Sequence, residues 1–400
     1  MIQFVVDNVF TRAVCQAPNE HIAIDNALTY RIKNADAIKR SKLRENPKSR
    51  YWRNWTGIES FYIKDQSAFM TGLLTKVMMY CKKAGITCII KDNRKNPGIV
   101  PAISPGMLSG IDIGAYPYDY QLRTVEECCR IGRGVVQIPT GGGKTEIAIA
   151  ITKALGLPAL FLTHRVNLLH QTAKRYDKRM PGIGGKIGII GDGQYSPNMI
   201  TLATVQPLQS LKKKAPTEYL QLLRRLPVLF IDEAHRAGAQ QFYHPAIACA
   251  NAFYRFCLTA TPFMTDNAQD NLRLMGISGP VCSRVTLAEL IERGVLAKPF
   301  FKFFTIDGPN LKKFKSWHAA YERGIVHHEE RNNIIVSQAA NLAAAKKKIL
   351  VIVDQKQHGT ILLDLMKKRN VRAKYQDGSN EYAEREKALQ WLSASGDCVI

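Results

Sequence analysis

Three consecutive glycines followed by lysine and threonine come directly after a short apolar run, and this arrangement constrains the fold more than any other feature of the chain. The apolar run is Gly134–Ile138, and the turn is Pro139–Thr145. Because glycines carry no obstructing side chains, consecutive backbone N–H groups can turn inward onto an anion. A helix expected to begin at Lys144 would point the positive end of its dipole at the same place. The sequence therefore predicts a strand, a phosphate-binding loop and a helix, in that order.

A second polar string, Asp232-Glu233-Ala234-His235, follows another apolar run, Pro227–Ile231. A carboxylate such as Asp232 can hold Mg²⁺ opposite the hydroxyl of Thr145, and Glu233 is placed to activate an attacking water. The two strings together predict a site that hydrolyses a nucleotide, with ATP and Mg²⁺ as the cofactors. The residues expected to contact the phosphates are Thr140, Gly141, Gly142, Gly143, Lys144 and Thr145.

Short runs rich in branched residues alternate with helix-length segments between about residues 113 and 298. This alternation predicts a parallel sheet covered by helices on both faces, which is a RecA-like, P-loop α/β domain. Both polar strings fall at carboxyl ends of strands, where open α/β sheets bind ligands. The predicted strands are Val135–Ile138, Ala159–Leu162, Ile187–Ile190, Ile200–Ala203, Val228–Ile231 and Phe256–Thr259.

Further strings resemble the motifs of the superfamily 2 helicases and translocases of the DEAH-box type, from about Tyr116 to the end of the chain. The resemblance implies that Gln121 contacts the adenine and that Thr259 and Thr261 couple hydrolysis to movement. It also implies that His235 links the ATP site to that coupling segment. The residues that it implies contact a nucleic-acid strand are His164, Arg165, Thr204 and Gln206.

Three regions are expected. Residues 1–112 are predicted to form a small α/β accessory domain, with strands at Met1–Val6 and Ile22–Ala27, a helix over Phe69–Ala84 and a linker from Pro97 to Gly106. Residues 113–298 are predicted to form the RecA-like ATP-binding domain. Residues 299–400 are predicted to begin a second RecA-like domain, with strands at 349–353, 372–376 and 397–400 and helices at about 359–369 and 382–393. Since the last apolar run reaches Ile400, we expect this second domain to be incomplete and the chain to be truncated.

Residues 31–53 carry nine basic residues against two acidic ones, and Tyr51, Trp52 and Trp55 lie at their end. Cations for a phosphate backbone and rings for base stacking suit a nucleic-acid surface. A solvated helix face with both tryptophans turned into the core fits the same pattern equally well. The strings in Asn46–Gly57 and Gly72–Leu74 are similar to the N-terminal domain of phage helicases of the UvsW type. This resemblance implies a phage-type DNA helicase rather than a cellular RNA helicase.

The formal net charge of +23 and the isoelectric point near 9.7 indicate a polyanionic partner. Duplex, forked or single-stranded DNA is expected, with RNA less favoured. The nine cysteines form no C-x-x-C pair and no zinc pattern, so we interpret them as reduced thiols of a cytoplasmic protein, in the host cell if the gene is viral. No apolar run approaches the length of a membrane span and the N-terminus lacks the features of a signal peptide, so no membrane partner is expected.

Three functions stay open from the sequence. The first is an ATP-dependent DNA helicase or translocase that moves on, or remodels, branched or duplex DNA. The second is the motor subunit of a restriction or packaging nuclease, although the sequence shows no separate acidic metal cluster. The third is a nucleic-acid-binding module that binds ATP without turnover.

Overall fold

The computed structural model describes residues 1–234, 240–263, 267–308, 310, 314, 316–380, 384, 387–388, 390–392 and 398–399. The chain divides into two compact units, Met1–Lys298 and Pro299–Ile400. None of the helices within these described ranges is long and apolar enough to cross a membrane.

The first 92 residues of the first unit, here called the accessory region, are built on a four-stranded sheet of order β5-β2-β1-β6 and a two-stranded sheet of β3 and β4. Phe4, Ile24, Phe69 and Leu73 are buried in its core. Its strands are β1 (Ile2–Val6), β2 (Phe10–Val14), β3 (Thr29–Arg31), β4 (Ile58–Ser60), β5 (Ala68–Met70) and β6 (Cys88–Asp92). Its helices are α1 (Pro18–Leu28), α2 (Ala35–Glu45), α3 (Arg50–Asn54) and α4 (Leu74–Lys83).

Two predicted elements of the accessory region are wrong or misplaced. Ile22–Ala27 lies in α1 rather than in a strand, because Pro18 suits a first helical turn and the buried positions of α1 recur every three or four residues. The predicted helix over Phe69–Ala84 begins only at Leu74. The residues before it form β5, which pairs with β2 in antiparallel register, and one turn of 3₁₀-helix, so sheet pairing overrides helical spacing there.

An eight-stranded sheet of order β10-β9-β11-β8-β12-β13-β7-β14 follows in the same unit. All neighbouring pairs are parallel except β9 with β10. Each of the six predicted strands is present, with ends shifted by at most two residues, so the predicted α/β, RecA-like fold class is confirmed. The strands are β7 (Arg133–Gln137), β8 (Ala159–Thr163), β9 (Ile187–Gly191), β10 (Gln194–Ser196), β11 (Ile200–Thr204), β12 (Val228–Asp232), β13 (Tyr254–Thr259) and β14 (Val281–Arg284).

Helices cover both faces of this sheet. Consecutive strand residues point to opposite faces, and Leu229 and Phe230 accordingly belong to two separate hydrophobic clusters. Both residues are fully buried or nearly so, at 1% and 0% exposure. The helices of this part are α5 (Asp119–Ile131), α6 (Lys144–Leu155), α7 (Val166–Arg179), α8 (Val205–Lys214), α9 (Pro216–Arg224), α10 (Gln240–Ala248), α11 (Ala268–Ser278) and α12 (Leu287–Glu292).

The segment predicted as a linker, Pro97–Gly106, is not a free connection. The backbone N–H of Ala102 donates to the carbonyl of Ala154 in α6 at 2.9 Å. Met107, which follows the segment, is buried in the cluster beneath α6, and the ammonium of Lys153 donates to its carbonyl. Prolines and glycines here prevent regular structure, yet the segment packs along the sheet domain.

The second unit contains a small parallel sheet of order β15-β17-β16. Its core includes Val336, Leu362, Met366 and Cys398. The predicted strands at 349–353 and 372–376 are present but shorter, and the described residues of the one at 397–400 are in a strand. The predicted helix at 359–369 is found slightly earlier in the chain. Half of the predicted helix at 382–393 lies outside the described residues, and the described half is helical. The elements are α13 (Trp317–Tyr321), α14 (Glu329–Ala344), β15 (Ile349–Leu350), α15 (Lys356–Lys368), β16 (Ala373–Lys374) and β17 (Cys398–Val399).

Candidate nucleotide-binding site

The glycine-rich loop joins β7 to α6 in a conformation that needs glycine. Gly141 and Gly143 have φ angles of 86° and 84°, which side chains other than glycine rarely adopt. A Cβ atom on Gly143 would lie 2.4 Å from Nε2 of Gln121. The loop is therefore shaped both by its own backbone and by a glutamine that approaches it closely.

Gln121 lies in the first turn of α5 and is only 2% exposed. Its Nε2 donates to the hydroxyl of Tyr120 at 3.3 Å, and that hydroxyl donates to the carbonyl of Gly142 at 2.9 Å. Within the described part of the chain, the buried Oε1 of Gln121 has no hydrogen-bond partner. This oxygen can accept a hydrogen bond from an amino group such as that of adenine.

A cavity of about 410 Å³ brings the two polar strings together, as the carboxyl-end rule for parallel sheets requires. Its walls include Gln121 and Tyr118 on one side and the acidic pair that follows β12 on the other. The predicted residues that line it are Gln121, Thr140, Gly141, Gly143, Lys144, Thr145, Asp232 and Glu233.

Asp232 ends β12 and is 9% exposed. Burial raises the pKa of its carboxyl to about 6, and the charge of Glu233 adds to this effect. A backbone hydrogen bond from Glu233 and the charge of Lys144 act on this pKa in the opposite direction. Glu233 itself has a φ of 50°, an uncommon left-handed conformation that turns the chain sharply at the cavity.

The oxygens of Thr145 and Asp232 are the hard donors that Mg²⁺ prefers, and both residues line the cavity. The buried, anionic character of Asp232 fits a cation next to a phosphate group. When bound, the ion would neutralise charge on the phosphates. The ammonium of Lys144 donates to the carbonyl of Ile138 at 3.3 Å, which places its charge at the same loop.

The residues predicted to contact nucleic acid or to couple hydrolysis to movement follow neighbouring strands at the same sheet edge. His164 and Arg165 follow β8, Thr204 ends β11 and Thr259 ends β13. Thr204 and Thr259 are 3% and 0% exposed. The hydroxyl of Thr259 accepts a hydrogen bond from the backbone N–H of Thr261 at 3.2 Å. The exposed members are Arg165, Gln206 and Thr261. Predicted roles for all of them stay predictions, and His235 lies outside the described residues.

Sequence reasoning missed one charged cluster in the cavity wall. Glu146, directly after Thr145, is 4% exposed and accepts hydrogen bonds from Arg175 at 2.9 and 3.1 Å. Arg179 reaches the same carboxylate at 3.4 Å, and both arginines line the cavity. A glutamate followed by the apolar run Ile147–Ile151 is the available signal, since a carboxylate inside a buried helix needs a partner.

Comparisons with known proteins cover the part of the chain that holds this site. Residues 115–264 match the family described as the res subunit of type III restriction enzymes. The DNA 3′-5′ translocase XPB2 of Sulfurisphaera tokodaii is 30% identical over 172 residues, which are 43% of this chain and 36% of that protein. Putative helicase 22 of Sulfolobus islandicus filamentous virus is 25% identical over 190 residues, 44% of this chain and 33% of that protein. The chain thus spans about a third of the length of these curated relatives.

The crystal structure of bacteriophage T4 UvsW is similar in fold, with a TM-score of 0.54 at 17% identity. That likeness covers 100% of this chain and 79% of the T4 chain. At this identity the likeness concerns the fold alone, and it extends through the accessory region and both units.

Proposed function

We propose that this chain, which belongs to the superfamily 2 helicases, is an ATP-dependent motor that moves on or remodels branched or duplex DNA. The observation that carries the proposal is the cavity lined by Gln121, the glycine-rich loop, Lys144, Asp232 and Glu233. Each group there has the chemistry that ATP hydrolysis needs. Gln121 would hold the base, the loop and Lys144 the phosphates, and Glu233 would take a proton from the attacking water.

Coupling to DNA is supported by the order of groups along the sheet edge. His164 and Thr204 follow strands on one side of β12, while Thr259 ends β13 on its other side. Loss of the γ-phosphate next to Asp232 would therefore change the surroundings of residues on both sides of β12. Because the residues predicted to touch nucleic acid would contact a phosphate backbone, little sequence preference is expected.

The exposed surface of α2 and α3 supports DNA as the partner. Tyr51 is 64% exposed, and its ring packs edge-on against Trp52 with a centroid separation of 5.1 Å. Trp52 in turn packs against Trp55 at 5.2 Å, and both tryptophans are half-buried outside the accessory core. This arrangement favours a basic surface with stacking rings over tryptophans turned into the core. The similarity to XPB2 of Sulfurisphaera tokodaii, a DNA translocase, supports DNA over RNA.

ATP hydrolysis with and without forked DNA tests the proposal. We expect DNA to stimulate turnover, and Lys144→Ala or Glu233→Gln to lower the turnover rate by about a thousandfold. Glu126→Gln, on the exposed face of α5, is the matched control and should leave the rate unchanged. Normal turnover in Glu233→Gln would reassign the catalytic base, and hydrolysis that ignores DNA would remove DNA as the partner.

A second candidate, the motor subunit of a restriction nuclease, is favoured by the family description of residues 115–264. The residues that the structure describes hold no group of three or more His, Cys, Asp or Glu side chains suited to a metal ion. A nuclease would therefore need a partner or residues outside those described. ATP-dependent cleavage of supercoiled DNA by the purified protein would favour this candidate, whereas remodelling of a forked substrate without cleavage favours the first. For either activity we propose a cytoplasmic protein, in the host cell if the gene is viral.

A further inference from the structure

Helix α11 belongs to two hydrophobic cores at once. Leu274 and Ile277 pack in the cluster that contains Val135 of β7 and covers one face of the central sheet. Leu272 is instead part of the accessory core, and Met275 packs against that core. In the sequence, α11 is the helix that follows the coupling segment Thr259–Thr261.

The accessory region approaches α11 so closely that Gly72 has no room for a side chain. A Cβ atom on Gly72 would lie 2.0 Å from the carbonyl oxygen of Met275 and 2.6 Å from that of Gly276. A Cβ atom on Gly276 would lie 2.1 Å from Cε of Met70. Backbone packing at this distance leaves little room for sliding, because interiors are close-packed and transmit displacement.

A buried guanidinium forms hydrogen bonds at the carboxyl end of α11. Arg133, at the start of β7, donates to the carbonyls of Ser278 at 2.7 Å and Ile277 at 3.3 Å, both at the end of α11. It also donates to the carbonyl of Asn8 in the accessory region at 3.1 Å. The positive charge lies at the carboxyl end of a helix, where it is favourable. Arg133 thus ties together the accessory region, α11 and the strand that leads to the phosphate loop.

The first turn of α11 is joined to the accessory region by a chain of side-chain hydrogen bonds. Nε2 of Gln269 donates to the hydroxyl of Tyr30 at 2.9 Å, and that hydroxyl donates to the carboxylate of Glu59 at 3.1 Å. Tyr30 lies in β3 and Glu59 in β4. The chain passes from β3 directly into α2, which carries the exposed basic surface.

We propose that α11 is the mechanical link through which DNA contact on the α2–α3 surface changes ATP turnover at the coupling segment. Tyr30 and Gln269 position the start of α11, and Arg133 positions its end. The link rests on the proposed function, because the coupling role of Thr259 and Thr261 belongs to it. Energetic coupling between two sites needs an element whose arrangement both sites bias. Helix α11 contacts β3, which leads into α2, and β13, which ends at Thr259.

The test compares Tyr30→Phe with Tyr62→Phe in the purified full-length protein. Both changes remove one hydroxyl from a largely buried tyrosine of the accessory region, but the hydroxyl of Tyr62 bonds His21 and does not reach α11. With a forked DNA as the probe, we expect Tyr30→Phe to lower the DNA-stimulated hydrolysis rate about fivefold, the effect of one lost hydrogen bond. The rate without DNA and the Kd for DNA should stay within about twofold, as should every value for Tyr62→Phe.

Gln269→Ala supplies a second route to the same result. It should lower DNA-stimulated turnover by a similar factor, and combining it with Tyr30→Phe should add no further loss, because both remove the same contact. Equal behaviour of Tyr30→Phe and Tyr62→Phe, or a fully additive double variant, would overturn the link. Wild-type protein whose hydrolysis ignores DNA would instead overturn the proposed function itself, so the two failures are distinguishable.

Discussion

At the carboxyl edge of the central sheet, Lys144 and Asp232 face a cavity, whereas at the amino edge Arg133 and Arg255 are buried against backbone carbonyls. Arg255 is 1% exposed, and it donates to the carbonyls of Ala252 and Ala246 at 2.9 Å each. The two arginines are register partners on β13 and β7. The charged groups at the carboxyl edge face a space that a ligand can enter, whereas the guanidinium groups at the amino edge are hydrogen-bonded to backbone carbonyls.

This contrast predicts opposite effects of mutation at the two edges. The pKa of the buried Asp232 carboxyl is raised, so its ionisation lowers the free energy of unfolding. At the carboxyl edge, a group placed for activity therefore reduces stability. A guanidinium that satisfies three carbonyls contributes stability and touches no ligand.

Asp232→Asn should have the largest effect. We expect turnover to fall about a thousandfold, because the proposed Mg²⁺ ligand is lost. The free energy of unfolding at pH 7 should rise by about 3 kcal/mol, because the pKa of Asp232 is raised from 3.8 to about 6 in the folded protein. A raised folded pKa gives stability below the unfolded pKa that is lost as pH rises through about 6. The gain of the variant should therefore shrink between about pH 6 and pH 4, as urea unfolding at several pH values would show. Loss of stability at pH 7 would contradict the contrast.

Arg133→Met should have the opposite character. We expect the free energy of unfolding to fall by about 3 kcal/mol, since three buried carbonyls lose their donor. ATP hydrolysis without DNA, per folded molecule, should be unchanged, because Arg133 lies away from the cavity. Arg130→Met, on an exposed position of α5, is the matched control. Chemical denaturation followed by circular dichroism measures the difference, and equal stability of the two variants would show that the arginine is dispensable.

The two glycines at the accessory contact should differ from each other. Gly72→Ala places its Cβ against a backbone carbonyl, so the chain must shift, and we expect a loss of about 2 kcal/mol. Gly276→Ala meets the end of the Met70 side chain, which can turn away, and alanine favours a helix. Its cost should stay under about 1 kcal/mol. Thermal unfolding of both variants decides this, and a larger loss for Gly276→Ala would mean that Met70 is rigidly held.

The sheet and the cavity are predictable from the sequence because their signals are local. Apolar runs such as Val228–Ile231 followed directly by a polar string place the string at a strand end, and the structure has that arrangement. The accessory region is less predictable, because Ile22–Ala27 has the apolar, branched residues of a strand although it lies in α1. The buried positions Glu20, Ile24 and Leu28 recur every four residues, and this spacing distinguishes the helix.

The arginine contacts at the amino edge could not be predicted from the sequence, because they join segments that are distant in the chain. Arg133 and Asn8 are 125 residues apart in the chain. A single arginine before Val135 and Val136 carries no motif, although a charged residue within a buried strand run is itself a signal. The shared helix α11 is hidden for the same reason, since its two apolar faces resemble those of any buried helix.

Because α11 packs in both the accessory core and the core of the central sheet, changes in the two regions are linked when such genes diverge. A recombination event that replaced only the coding sequence for the accessory region would set Gly72 and Met70 against a foreign helix. Substitutions at Met275 and Gly276 should therefore be compensated at those two distant positions. We therefore expect the first 92 codons and those for Ala268–Ser278 to be inherited together.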